Sequence, residues 1–113
     1  MTLAALRQSI ATGIALYFCA ASWAGPAFDH LREKGTIIIG HRDSAPPFSY
    51  VVNGEPVGYS IDICRKIAAA VAREVGVKTW HVSFKSVTAA NRFETIERGD
   101  IDLECAATTN TAD

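Results

Sequence analysis

The chain lacks most of the signals that mark catalytic or nucleic-acid-binding proteins. Its net charge is −1, with 11 basic and 12 acidic residues interspersed, so it has no cationic footprint for nucleic acid. No block of like charges, internal repeat or low-complexity tract occurs. A Gly-rich phosphate loop, a nucleophile elbow and a zinc signature are absent too. His30, His41 and His81 keep no metal-ligand spacing with one another or with the cysteines, so neither a metal nor a cofactor is expected. Glu97, Asp100, Asp102 and Glu104 form an acidic cluster. Asp102 and Glu104 alternate with Ile101, Leu103 and Cys105, however, which is the pattern of a strand edge and turn. No apolar run reaches the roughly 18 residues of a membrane-spanning helix.

What is present is an ordinary folded composition, 49% hydrophobic and 20% charged over 113 residues, enough for one small domain at most. The first 24 residues read as a secretory leader. Arg7 and the amino terminus supply the positive region, Ile10 to Ala21 the apolar stretch, and Ser22-Trp23-Ala24 the small residues of a cleavage site. The domain proper is then residues 25–113. Of three cysteines, Cys19 falls in the leader, leaving Cys64 and Cys105 in an exported, oxidising setting. Such a pair is either bridged or simply two well-packed thiols.

Hydrophobic periodicity gives the element order. Phe28–Lys34 forms a short helix that Gly35 ends. Thr36–Gly40, with three consecutive isoleucines, has the character of a strand buried on both faces of a parallel sheet. Asn53-Gly54 is a hairpin turn between Phe48–Val52 and a short arm at Pro56–Gly58. Ser60 is the expected N-cap of a helix whose apolar face is Ile61, Cys64, Ile67, Ala68, Val71 and Val75, with Gly76 as its C-terminal stop. Thr79–Phe84 alternates as a second strand. Asn91 and Glu94 suggest a capping box opening a helix through Arg98, stopped by Gly99. Ile101–Cys105 is a third strand. Strands alternating with helices imply a three-layer α/β fold with parallel strands.

Parallel topology gathers three loops on one sheet edge: His41 to Ser44, Ser86 to Arg92, and Ala106 to Asn110. This is where open α/β sheets bind ligands. Arg42 and Arg92 lie there with hydroxyls and backbone amides, a donor set suited to anions. Arg92 also falls in the first turn of a helix, where backbone N–H groups favour negative charge. Two arginines on one rim would suit a dicarboxylate. Each has a plainer reading: Arg42 as the partner of Asp43, Arg92 as the partner of a helix neighbour, Thr108 and Thr109 as N-caps. Phe48, Tyr50 and Tyr59 read as core packing or cleft lining, and Asp62 as a helix-start residue.

Gly40-His41-Arg42, Pro47-Phe48-Ser49-Tyr50, Gly58-Tyr59-Ser60-Ile61-Asp62, Asn91-Arg92 and Glu104-Cys105-Ala106-Ala107-Thr108-Thr109-Asn110 together resemble the front of a family 3 bacterial solute-binding protein, in its glutamate/aspartate-binding branch. The resemblance implies part of lobe one of a type II periplasmic-binding-protein fold: a parallel three-strand sheet flanked by helices, plus a β-hairpin. It implies a periplasmic amino-acid receptor that presents ligand to the membrane permease of an ABC transporter, and no enzymatic activity. Arg42, Arg92, Thr108 and Thr109 occupy the positions that contribute to the ligand site. The resemblance extends over only about the first third of such a protein, so a truncated fragment is expected, one with exposed apolar surface and marginal stability. Alternatives are a dehydratase-like periplasmic enzyme of the same fold, with Asp43 as its only cleft carboxylate, a sensor domain, or a fragment without function. The sequence departs from the branch where Ala89, Ala106 and Ala107 replace Ser, Gly and Ser, removing hydroxyl donors.

Overall fold

The computed structural model describes residues 25–109. The expected leader, residues 1–24, and Asn110 lie outside them. Helix α1 (Pro26–Lys34) leads into strand β1 (Thr36–His41), and a small three-stranded antiparallel sheet follows: β2 (Ser44–Ala45), β3 (Ser49–Val52) and β4 (Glu55–Val57). Helix α2 (Tyr59–Val75), strand β5 (His81–Ser86), helix α3 (Arg92–Glu97) and strand β6 (Leu103–Cys105) complete the chain. The main sheet has the order β5-β1-β6 and is parallel throughout. The predicted α/β architecture with its parallel sheet and hairpin is therefore the observed one.

The triple isoleucine makes β1 the central strand. Thr36 pairs with His81 and His41 with Ser86 on one side, while Ile39 pairs with Leu103 and His41 with Cys105 on the other. Ile37 and Ile39 join Leu31, Ile61, Cys64, Ala68, Ala72 and Cys105 in one buried cluster. Burying an aliphatic side chain of this size stabilises a fold by about 1.5–3 kcal/mol, so α1 and α2 are held mainly by this cluster. Gly35 closes α1 in the left-handed region at φ 61°, and Gly76 does the same for α2 at φ 77°. Asn53 (φ 51°) and Gly54 (φ 80°) form the predicted hairpin turn, which needs positive φ at both central positions.

Several local expectations require correction, among them the third strand, which begins at Leu103 and not at Ile101. Strand β5 begins at His81, two residues later than predicted, because Trp80 and its predecessors are consumed in the connection from α2. Ile67 is 41% exposed: six residues beyond Ile61 places it about 240° around the helix, off the buried stripe. Ser60 does not cap α2. The N–H groups of Tyr59 and Ser60 instead donate to the carbonyls of Pro47 and Phe48 at 3.0 and 2.9 Å. Asn91 and Glu94 form no capping box. Asn91 Oδ1 accepts from the Thr88 amide at 2.8 Å, and Thr88 Oγ1 accepts from the Asn91 amide at 3.1 Å, so the reciprocal pair lies three residues upstream of the predicted one.

Candidate functional site

Parallel β1, β5 and β6 deliver their carboxyl ends to one edge, and with them the three polar loops. The first loop is rigidly fixed. Ser49 Oγ, fully buried, accepts from the Arg42 amide at 2.9 Å and donates to the Arg42 carbonyl at 3.3 Å. The Val51 amide donates to the Asp43 carbonyl at 3.2 Å. The small sheet thus clamps the backbone of the cationic loop while the Arg42 side chain stays half-buried. Gly40 packs closely two residues before Arg42: a Cβ there would lie 2.5 Å from Ile101 Cδ1, so the Ile101 side chain would have to shift.

Arg42 forms no ion pair with Asp43 or any other acid among the described residues. Asp43 Oδ1 instead accepts from Ser86 Oγ at 2.9 Å and lies 3.5 Å from His41 Nδ1. The pairing of a helix neighbour belongs to Arg98, whose guanidinium meets Glu94 at 3.1 Å and Asp100 at 3.3 Å. Arg92 has no such partner among the described residues. Its Nε is buried without a hydrogen-bond partner, and its guanidinium carbon lies 4.7 Å from the centre of the Phe93 ring. Helix α3 has six residues, so the charge Arg92 offers comes from its guanidinium more than from the helix end.

The third loop is anchored at two points. Ser60 Oγ donates to the Ala106 carbonyl at 3.0 Å. One residue earlier, Cys105 is bonded to Cys64 of α2, with the α-carbons 6.3 Å apart. Thr108 Oγ1 donates to Glu104 Oε2 at 3.1 Å, and Thr109 is exposed. Any cap that either threonine forms on a following helix lies outside the described residues. The fold therefore brings the loops of Arg42, Arg92, Thr108 and Thr109 to one sheet edge, while no hydrogen bond links these four side chains to one another among the described residues. Exposed Ala89 and Ala107, with half-buried Ala106, supply no hydroxyls there.

Ser49, Ser86 and the Thr88–Asn91 pair were not singled out by sequence. Their partners lie 7, 43 and 3 residues away; the short Thr88-x-x-Asn91 spacing was the one readable signal. Asp102 is structural. Its side chain is 2% exposed and accepts from the Ile38 amide at 2.8 Å, with His30 Nδ1 at 3.0 Å. Two apolar wells of about 160 and 140 Å³ lie beside α1 and contain none of the predicted site residues. No group of acids, histidines and cysteines suited to a metal occurs among the described residues.

The α/β fold thus presents Arg42, Arg92 and several hydroxyls on loops at the carboxyl-end edge of one parallel sheet. The chain belongs to the bacterial extracellular solute-binding proteins, family 3, which it matches over residues 37–113. Its curated relatives are named as solute-binding proteins, which supports a binding role over an enzymatic one. It is 40% identical over 82 residues to the L-glutamate/L-aspartate-binding protein of Pseudomonas aeruginosa, covering 71% of this chain and 27% of that protein. It is 36% identical over 108 residues to the glutamate/aspartate import solute-binding protein of Escherichia coli, covering 95% and 36%. The chain thus spans about a third of the curated relatives it matches. Among solved structures it resembles the L-cysteine solute receptor of Neisseria gonorrhoeae, with a TM-score of 0.62 and 34% identity over 75% of this chain and 33% of that one. A point mutant of the arginine-bound form of domain 1 from TmArgBP matches with a TM-score of 0.59 and 27% identity, covering 75% of this chain and 61% of that one.

Proposed function

We propose that this chain carries the lobe-one wall of an amino-acid cleft selective for glutamate or aspartate, in a periplasmic receptor that supplies an ABC transporter permease. The observation that carries the reading is the pair of arginines without acidic partners among the described residues, Arg42 and Arg92, on loops leaving one sheet edge. Each guanidinium fork suits one carboxylate, and an acidic amino acid has two. The names of the relatives at 35–40% identity agree with that ligand class. With alanine at 89, 106 and 107, more of the recognition falls on the guanidinium groups, on Thr109 and on backbone amides. Residues 1–24 would serve as the export signal. A second lobe would supply the opposite wall, and the arginine-bound domain 1 from TmArgBP supports retention of ligand by a lobe of this fold alone.

The test is an NMR titration of the exported chain with L-glutamate, L-aspartate, L-glutamine and L-arginine. The reading expects saturable shifts at residues 42–44, 86–92 and 106–109 with the two acidic amino acids, and weaker ones with glutamine. Stronger shifts with arginine, or no shifts at these loops with glutamate, would overturn it.

A further inference from the structure

Arg42 and Asp43 are chain neighbours of opposite charge, yet they do not pair. We propose that Ser86 is a positioning residue: with His41 it holds the Asp43 carboxylate away from Arg42, so that the guanidinium stays free for an anionic ligand. The inference rests on the reading of Arg42 as a ligand-binding group and deepens it.

The restraint is built from both strands of the sheet edge. His41 and Ser86 are paired in register as the last residues of β1 and β5. Ser86 Oγ donates to Asp43 Oδ1 at 2.9 Å. The His41 imidazole, 10% exposed, places Nδ1 3.5 Å from the same oxygen and 3.4 Å from the Arg42 carbonyl. Both neighbours of Nδ1 are acceptors, so a proton on Nδ1 would suit the contact. The backbone is fixed on the other side by Ser49 and Val51. The loop backbone is thus tied to the small sheet, and the freedom that matters here is the rotation of the Asp43 side chain itself.

That side chain is 65% exposed. Its hold is a surface one, of the same size as the ion pair it prevents. An exposed Arg–Asp pair typically contributes up to about 1 kcal/mol, equivalent to roughly a fivefold change in an equilibrium constant. Removing the Ser86 hydroxyl should release Asp43 toward Arg42. A ligand carboxylate must then displace an internal one, and its affinity falls by up to about fivefold. A merely structural role for Ser86 predicts a different pattern, because neutralising Asp43 would not repair it.

The test compares the full-length chain with Ser86→Ala, Ser86→Thr, Asp43→Asn and Ser86→Ala/Asp43→Asn. Two readouts are used: the Arg42 Nε–H resonance without ligand, and the dissociation constant for L-glutamate at low salt. Ser86→Ala should shift the resonance and weaken glutamate binding by up to about fivefold. Adding Asp43→Asn should return both to the wild-type values, and Ser86→Thr should leave both near wild type. The proposal is overturned if Ser86→Ala leaves the Arg42 resonance unmoved, or if Asp43→Asn does not reverse its effects. A resonance that moves and returns as stated, in a chain that binds no glutamate, supports the positioning role and refutes the ligand reading.

Discussion

Reducing the Cys64–Cys105 bond should nearly abolish the stability of the domain. The bond closes a loop with a sequence separation of 41. Chain-entropy reasoning gives about 4 kcal/mol at 25 °C for a loop of that length. Small domains have roughly 5–15 kcal/mol in total, and this one leaves Ile63, Ile67, Phe93 and Ile96 substantially exposed, so it should lie toward the lower end. Both half-cystines are buried in the cluster that joins α2 to β6, and two thiols would still fill that space. The loss should therefore come mainly from the unfolded chain regaining its freedom. Urea denaturation followed by circular dichroism, with and without reductant, measures it. A difference below about 1 kcal/mol would refute the reasoning, as would two free thiols in the exported, unreduced protein.

Gly58→Ala should destabilise by about 3 kcal/mol or more: at φ 127° its Cβ would lie 2.4 Å from the Phe48 carbonyl oxygen, forcing apart the contacts that begin α2. Gly54→Ala, whose Cβ meets nothing within 4 Å at φ 80°, should cost only about 1 kcal/mol; thermal unfolding of the two variants checks the order. Asp102→Ala should cost about 1–3 kcal/mol by leaving the Ile38 amide without its acceptor. Hydrogen exchange at Ile38 should accelerate well before exchange in the middle of α2.

The fold was legible wherever it depends on local pattern. Ile37 to Ile39 announced a buried parallel strand, Asn53-Gly54 a hairpin, and Gly35 and Gly76 the helix ends, because each is set by periodicity or by a required positive φ. Local reasoning failed where a distant group took over a local task. Ser60 looked like a cap, but the carbonyls of Pro47 and Phe48 reached the helix first, and the serine hydroxyl went to Ala106. The candidate site follows the same division. Its arginines could be read from strand ends and topology. The contacts that fix the loop of Arg42 could not, since Ser86 meets Asp43 across 43 residues and only the folded sheet makes them neighbours.

Calorimetric titration of L-glutamate into the full chain, beside Arg42→Lys and Arg92→Lys, tests the central claim most directly. Lysine keeps the charge but loses the bidentate fork. The account predicts saturable binding by the wild type and a loss of about tenfold or more in each variant. Equal binding by all three proteins would contradict it.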